Sequence, residues 1–139
     1  MTTTDHIRYR AGYKYQLDAD YFIKTKIRPP EDIFTRYIIL LSDGTLSIKS
    51  GYAWDGPSGP TIDTKTSMRG SLIHDALYQL MRMGLLPGSF RCEVDFLFKQ
   101  ICEDDGMSPF RRDYFYFGVK WFARFAAKKG STKKILTAP

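Results

Sequence analysis

Asp43-Gly44 lies between two apolar runs of strand length, and no other pair of residues constrains this chain so tightly. Upstream, Arg36–Ser42 carries Tyr37, Ile38, Ile39, Leu40 and Leu41 without a break. Downstream, Thr45–Ser50 alternates Leu46 and Ile48 with Ser47 and Lys49. An Asp-Gly pair in that setting predicts an antiparallel hairpin closed by a two-residue turn, because both central positions of such a turn want positive φ. The returning strand is expected to run on through Tyr52 to Trp54. Before the hairpin, Tyr13–Leu17 and Tyr21–Ile27 read as short strands rich in aromatic and β-branched residues, the second broken by Pro29-Pro30. Residues 1–12 read as a loose arm.

Beyond Trp54 the pattern changes. Residues 55–65 are loop by composition, and from there the apolar spacing is helical. Leu72, Ile73, Ala76, Leu77 and Leu80 give a stripe on a first helix running from Thr66 or Ser67 to Arg82 and ended by Gly84. Pro87-Gly88 makes a turn, and Ser89 is the expected N-cap of a second helix that reaches Asp105, with Gly106 as its stop. Ser108-Pro109 opens a third helix to Lys129. Its aromatics, Tyr114, Phe115, Phe117, Trp121, Phe122 and Phe125, cover more than one face, as in a central core helix or one whose surface meets a partner. The expected class is α+β: a small antiparallel N-terminal sheet with a β-hairpin, followed by three helices. With 139 residues, 43% of them apolar, the chain is expected to form a single domain, 1–139, ending in a basic tail, 130–139.

Net charge is +6, and it is unevenly placed. From Ser108 onward eight basic residues stand against one acid, Asp113, which suits either a solvated helix face and tail or an anionic partner. An anionic lipid surface or another protein is the expected partner, with nucleic acid behind them. Cys92 and Cys102 fall on one helix, roughly 15 Å apart at 1.5 Å per residue, too far for a disulfide. A reduced, intracellular setting follows. The N-terminus has no apolar signal region, and no run approaches a membrane span.

The chemistry gathers between residues 51 and 98. His74 and Tyr78 are four apart and share a helix face. Asp95 stands among Val94, Phe96, Leu97 and Phe98, where an ionised carboxylate is costly without a partner. A short turn between the two helices implies antiparallel packing, which sets His74 and Asp95 at similar heights on facing helices. A hydrogen bond between them satisfies both, and such a pair makes the other imidazole nitrogen a general base. Asp75, the next residue, is expected to point toward the loop carrying Asp55. Two carboxylates with carbonyls from Trp54 to Pro60 are hard oxygen ligands, suited to calcium. The plainer reading is also open: a buried His satisfied by an Asp, Tyr78 as packing, and Asp55-Gly56 as a turn.

Two resemblances reach these residues. The loop Gly51-Tyr52-Ala53-Trp54-Asp55-Gly56-Pro57-Ser58, the helix His74-Asp75-Ala76-Leu77-Tyr78 and the helix Arg91-Cys92-Glu93-Val94-Asp95-Phe96-Leu97-Phe98 resemble an uncharacterised family of tailed-phage and prophage proteins. That resemblance implies phage origin, in the host bacterial cytoplasm or associated with the virion. The helix pair is also similar to the catalytic hairpin of phospholipase A₂ enzymes, especially the short bacterial and parvoviral kinds. Those use His-Asp-x-x-Tyr on one helix and an Asp on the next, after a Gly-rich calcium loop. The resemblance implies that His74 activates water, Asp95 orients it, and Tyr78 supports Asp95. It further implies a calcium ion on Asp75 with Asp55 and the Gly56 carbonyl. Departures are plain: there is no disulfide framework, Leu77 stands where many of those enzymes have Cys, and Asp55–Pro60 is not their usual calcium loop. The expected function is thus ester hydrolysis of a lipid or related substrate. The alternative is a non-enzymatic virion component or host-factor binder that works through the basic aromatic third helix.

Overall fold

The structure is a computed structural model and describes residues 7–10, 15–54 and 65–107. These fall into two compact units, the strands through Trp54 and the helices from Lys65. The class is α+β, with two antiparallel sheets and two α-helices among the described residues.

The hairpin forms where the sequence places it, with a different turn. β5 (Ile38–Leu40) pairs with β6 (Thr45–Ile48) in the register Leu40↔Leu46. The Leu41 amide donates to the Thr45 carbonyl, and the Gly44 amide to the Leu41 carbonyl, each at 2.9 Å. Ser42, Asp43 and Gly44 therefore make a three-residue loop, not the expected two-residue turn. Only Gly44 takes a positive φ, +94°, as such loops require at their last position. Asp43 instead accepts the Thr45 amide at 2.9 Å, locking the loop from its side chain. A Cβ at position 44 would also fall on the Thr25 carbonyl oxygen.

β6 is central in the four-stranded sheet, flanked by β3 (Tyr21–Lys24) and β5, with β4 (Ile33–Phe34) at the far edge. Period-two alternation puts Tyr21, Ile23, Ile33, Ile38, Leu40, Leu46 and Ile48 on one face, all buried. Ser47 and Thr45 on the other face are buried as well, so β6 is covered on both sides. The second sheet has three strands, β1 (Tyr9–Arg10), β2 (Tyr15–Leu17) and β7 (Ala53–Trp54), in that order. Part of the expected loose arm is thus a strand. The strand expected to continue to Trp54 also stops short. Gly51, at φ +98°, turns the chain after Ile48, its amide donating to the Leu17 carbonyl at 2.8 Å, and β7 joins β2 instead.

α1 (Lys65–Arg82) ends at Gly84, φ +75°. The Gly84 amide reaches the Met81 carbonyl and the Leu85 amide the Leu80 carbonyl, both at 3.0 Å, the paired bonds of a Schellman cap. A 3₁₀ turn, Gly88–Phe90, leads into α2 (Arg91–Asp104). Ser89 lies inside that turn, so it is not the N-cap that the sequence suggests, and no side chain caps α2. Gly106, φ +95°, repeats the Schellman cap with Met107. The third helix, 108–129, lies outside the described residues. No helix among those described is long and apolar enough to cross a membrane.

Candidate functional site

The two helices meet in antiparallel register. Tyr78 and His74 on α1 touch Asp95 on α2, while Arg69, nearer the start of α1, touches Asp105 just past the end of α2. Between them Gly70 lets the helices close up. A Cβ there would stand 2.9 Å from Cys102 Sγ and 3.1 Å from Phe98 Cδ1. The glycine thus brings α2 near enough for a short imidazole and a carboxylate to meet.

His74 Nε2 lies 2.8 Å from Asp95 Oδ1, and the Tyr78 hydroxyl donates to the same oxygen at 2.6 Å. The i, i+4 spacing on α1 delivers both groups to one acceptor. Because a carboxylate oxygen accepts, Nε2 carries the proton in this contact. The imidazole is sandwiched: the Tyr78 ring stacks on it at 4.2 Å between centroids, and Phe98 meets it edge-on at 5.5 Å. His74 is 7% exposed and Asp95 fully buried. Among the described residues no donor reaches the second Asp95 oxygen, Oδ2, which is also buried.

On the other side of the ring, Nδ1 lies 4.0 Å from Asp75 Oδ1, beyond hydrogen-bond range but within an ion pair's reach. Burial pulls the His74 pKa down, but the flanking Asp75 and Asp95 outweigh it and hold the imidazole above its ordinary 6.5. Burial and the Asp95 hydrogen bond push the Tyr78 phenol well above its usual range, so it stays a donor. The arrangement can therefore fix one imidazole tautomer, hold a proton between three polar groups, and stabilise an imidazolium.

Of the six residues expected at the site, His74, Tyr78 and Asp95 are brought into direct contact, and Asp75 flanks them. Asp55 and Gly56 lie outside the described residues. Asp75 is partly exposed and offers a hard carboxylate oxygen of the kind calcium takes. Among the described residues no cluster of three or more His, Cys, Asp and Glu side chains could hold a metal ion.

Three features of the site escape sequence reasoning. Gly70 interrupts the helix where alanine is favoured by about 1 kcal/mol, a sign of close packing. Phe98 is on the apolar stripe of α2 and gives no separate signal. Arg69 grips Asp105 with two nitrogens, Nη2 to Oδ1 at 2.8 Å and Nε to Oδ2 at 3.1 Å, with both side chains largely buried. Bidentate pairing of that kind fixes geometry as well as charge. Across protein-family models, curated proteins and solved structures, no match to this chain is found.

Proposed function

We propose that this protein is a phage-encoded hydrolase of a lipid ester or related substrate, working through a phospholipase A₂-like His–Asp pair. The observation that carries the reading is the shared oxygen: His74 Nε2 and the Tyr78 hydroxyl converge on Asp95 Oδ1 at 2.8 and 2.6 Å. With Nε2 held there as N–H, Nδ1 is the nitrogen left to accept a proton from water. Asp95 fixes the tautomer and stabilises the imidazolium that forms, and Tyr78 holds Asp95 in place. The activated water attacks the ester carbonyl, and the imidazolium returns the proton to the leaving alcohol. Calcium belongs to the proposal: Asp75, with Asp55 and the Gly56 carbonyl, would hold it, and it would polarise the ester carbonyl when bound. Phage origin rests on the three motifs, and it sets the host cytoplasm or the virion as the place of action. An anionic lipid surface is the partner that the basic residues after Ser108 suit.

One observation favours a second reading. His74 is 7% exposed, little more than a side chain sealed into a core. On that reading the His–Asp–Tyr network is structural. The protein is then a virion component or host-factor binder, working through the basic segment from Ser108.

Fatty-acid release from anionic vesicles separates the two, measured with and without calcium for wild type and His74→Gln. The hydrolase reading expects release by wild type, stimulated by calcium and abolished in a folded His74→Gln. The working base is the neutral imidazole, so the rate should climb with pH as His74 gives up its proton. Equal background release from both proteins overturns the hydrolase and leaves the binding reading.

A further inference from the structure

The end of the helical hairpin remote from Arg69 and Asp105 carries exposed apolar side chains and two arginines that no described residue pairs with. α1 ends at Arg82 and α2 begins at Arg91. The eight residues between them, Met83 to Phe90, contain no charge. Met83 and Leu85 are each 44% exposed, and Phe96, further along α2, is 49% exposed. This is not a floppy turn that happens to spill side chains. Leu80, Met81 and Leu86 are buried, and the Gly84 cap fixes the backbone, so Leu85 is held outward while Leu86 is held in.

The arginines at either end make no ion pair among the described residues, and the Arg82 Nε is buried without a hydrogen-bond partner. Arg69, by contrast, has its carboxylate. The nearest acid along the chain is Glu93, two residues into α2. Guanidinium groups in no ion pair among the described residues, set on both sides of an outward apolar turn, fit a surface with anions at its face and hydrocarbon behind.

We infer that the tip of the hairpin, Arg82 to Arg91 with Phe96, docks on an anionic phospholipid surface. Arg82 and Arg91 would meet headgroup phosphates, and Met83 and Leu85 would enter the acyl boundary. The choice of a lipid over a protein partner rests on the lipid-ester reading above, while the docking is measured apart from hydrolysis.

The test is co-sedimentation of the full chain with vesicles of phosphatidylcholine alone or mixed with phosphatidylserine. Wild type should bind the serine-containing vesicles and bind pure phosphatidylcholine far more weakly. Leu85→Asp should weaken binding by about tenfold or more, the loss expected for one leucine side chain. Arg82→Gln and Arg91→Gln should each weaken it about fivefold, matching about 1 kcal/mol per cation near such a surface. All three side chains sit at the tip, so unchanged melting temperatures verify folding. His74→Gln should bind as wild type does, so a failed hydrolase with intact, Leu85-dependent binding leaves the docking standing. Wild-type binding to all vesicles alike, no binding at all, or Leu85→Asp binding as wild type overturns the inference. Self-association that Leu85→Asp abolishes, without vesicle binding, also overturns it and assigns the surface to a second copy of the chain.

Discussion

Asp95 is the residue on which the site depends. A fully buried carboxylate has to be met by donors, and both that are described come from one face of α1. Asp95→Ala leaves the imidazole and phenol without their acceptor and should destabilise the fold by about 1–3 kcal/mol. Tyr78→Phe removes one donor from a charged acceptor and should cost about 1.5–3 kcal/mol. Denaturant melts of the two variants give both figures, and an Asp95→Ala as stable as wild type would show the network to be dispensable. The pair itself was legible in the sequence: polar residues among hydrophobes on adjacent helices point to each other because each needs the other. Asp75 was legible as a neighbour of His74 but not as the second charge that raises its pKa.

At the scale of elements, helix spacing and turn chemistry decide the geometry. Gly70→Ala gains about 1 kcal/mol of helix propensity but sets a methyl against Cys102 Sγ and the Phe98 ring. Overpacking of that sort costs about 1–3 kcal/mol, so net destabilisation is expected. Cys102→Ala added to Gly70→Ala should recover part of it, since the closest contact is then gone. A pair of strictly additive effects would mean that the two positions do not touch. Cys102 itself is no reactive thiol, because burial and the Asp105 charge push it up to about 12. The hairpin tip responds to acid. The Thr45 amide and hydroxyl and the Lys24 ammonium hold the Asp43 carboxyl down at about 2, against an ordinary 3.8. A depressed folded-state pKa stabilises above 3.8, and that contribution fades as pH falls toward 2. Asp43→Asn should therefore flatten the stability profile across that window, as acid titration of the melting temperature would reveal. The hairpin strands were readable from their apolar runs. The length of the loop was not, since Asp-Gly serves a two-residue turn and a three-residue loop equally well. The turn at Gly51 was not readable either, since Tyr52 and Trp54 carry the aromatic strand pattern on beyond it.

For the whole molecule, charge and topology set the behaviour. The chain is +6, and the excess sits after Ser108. Converting Lys128, Lys129, Lys133 and Lys134 to Gln should lessen both vesicle retention and its sensitivity to salt. The part that depends on Leu85 should survive high salt, because apolar insertion is not screened. Binding unaffected by all four changes would remove the tail from the account. The α+β order was visible from the change of apolar period past Trp54, but the split of the strands into two sheets was not. Pairing between residues distant in sequence leaves little local trace, and β2 with β7 is such a pair. That pairing bears on how the chain is made. On the ribosome the four strands β3 to β6 can close among themselves as soon as residue 48 has emerged. β2, already synthesised, keeps one edge open until Ala53 and Trp54 follow. For that interval it is a bare template for another nascent chain, so a stall that holds Ala53 and Trp54 inside the ribosome with residue 48 already out favours aggregation, and a stall after they emerge does not.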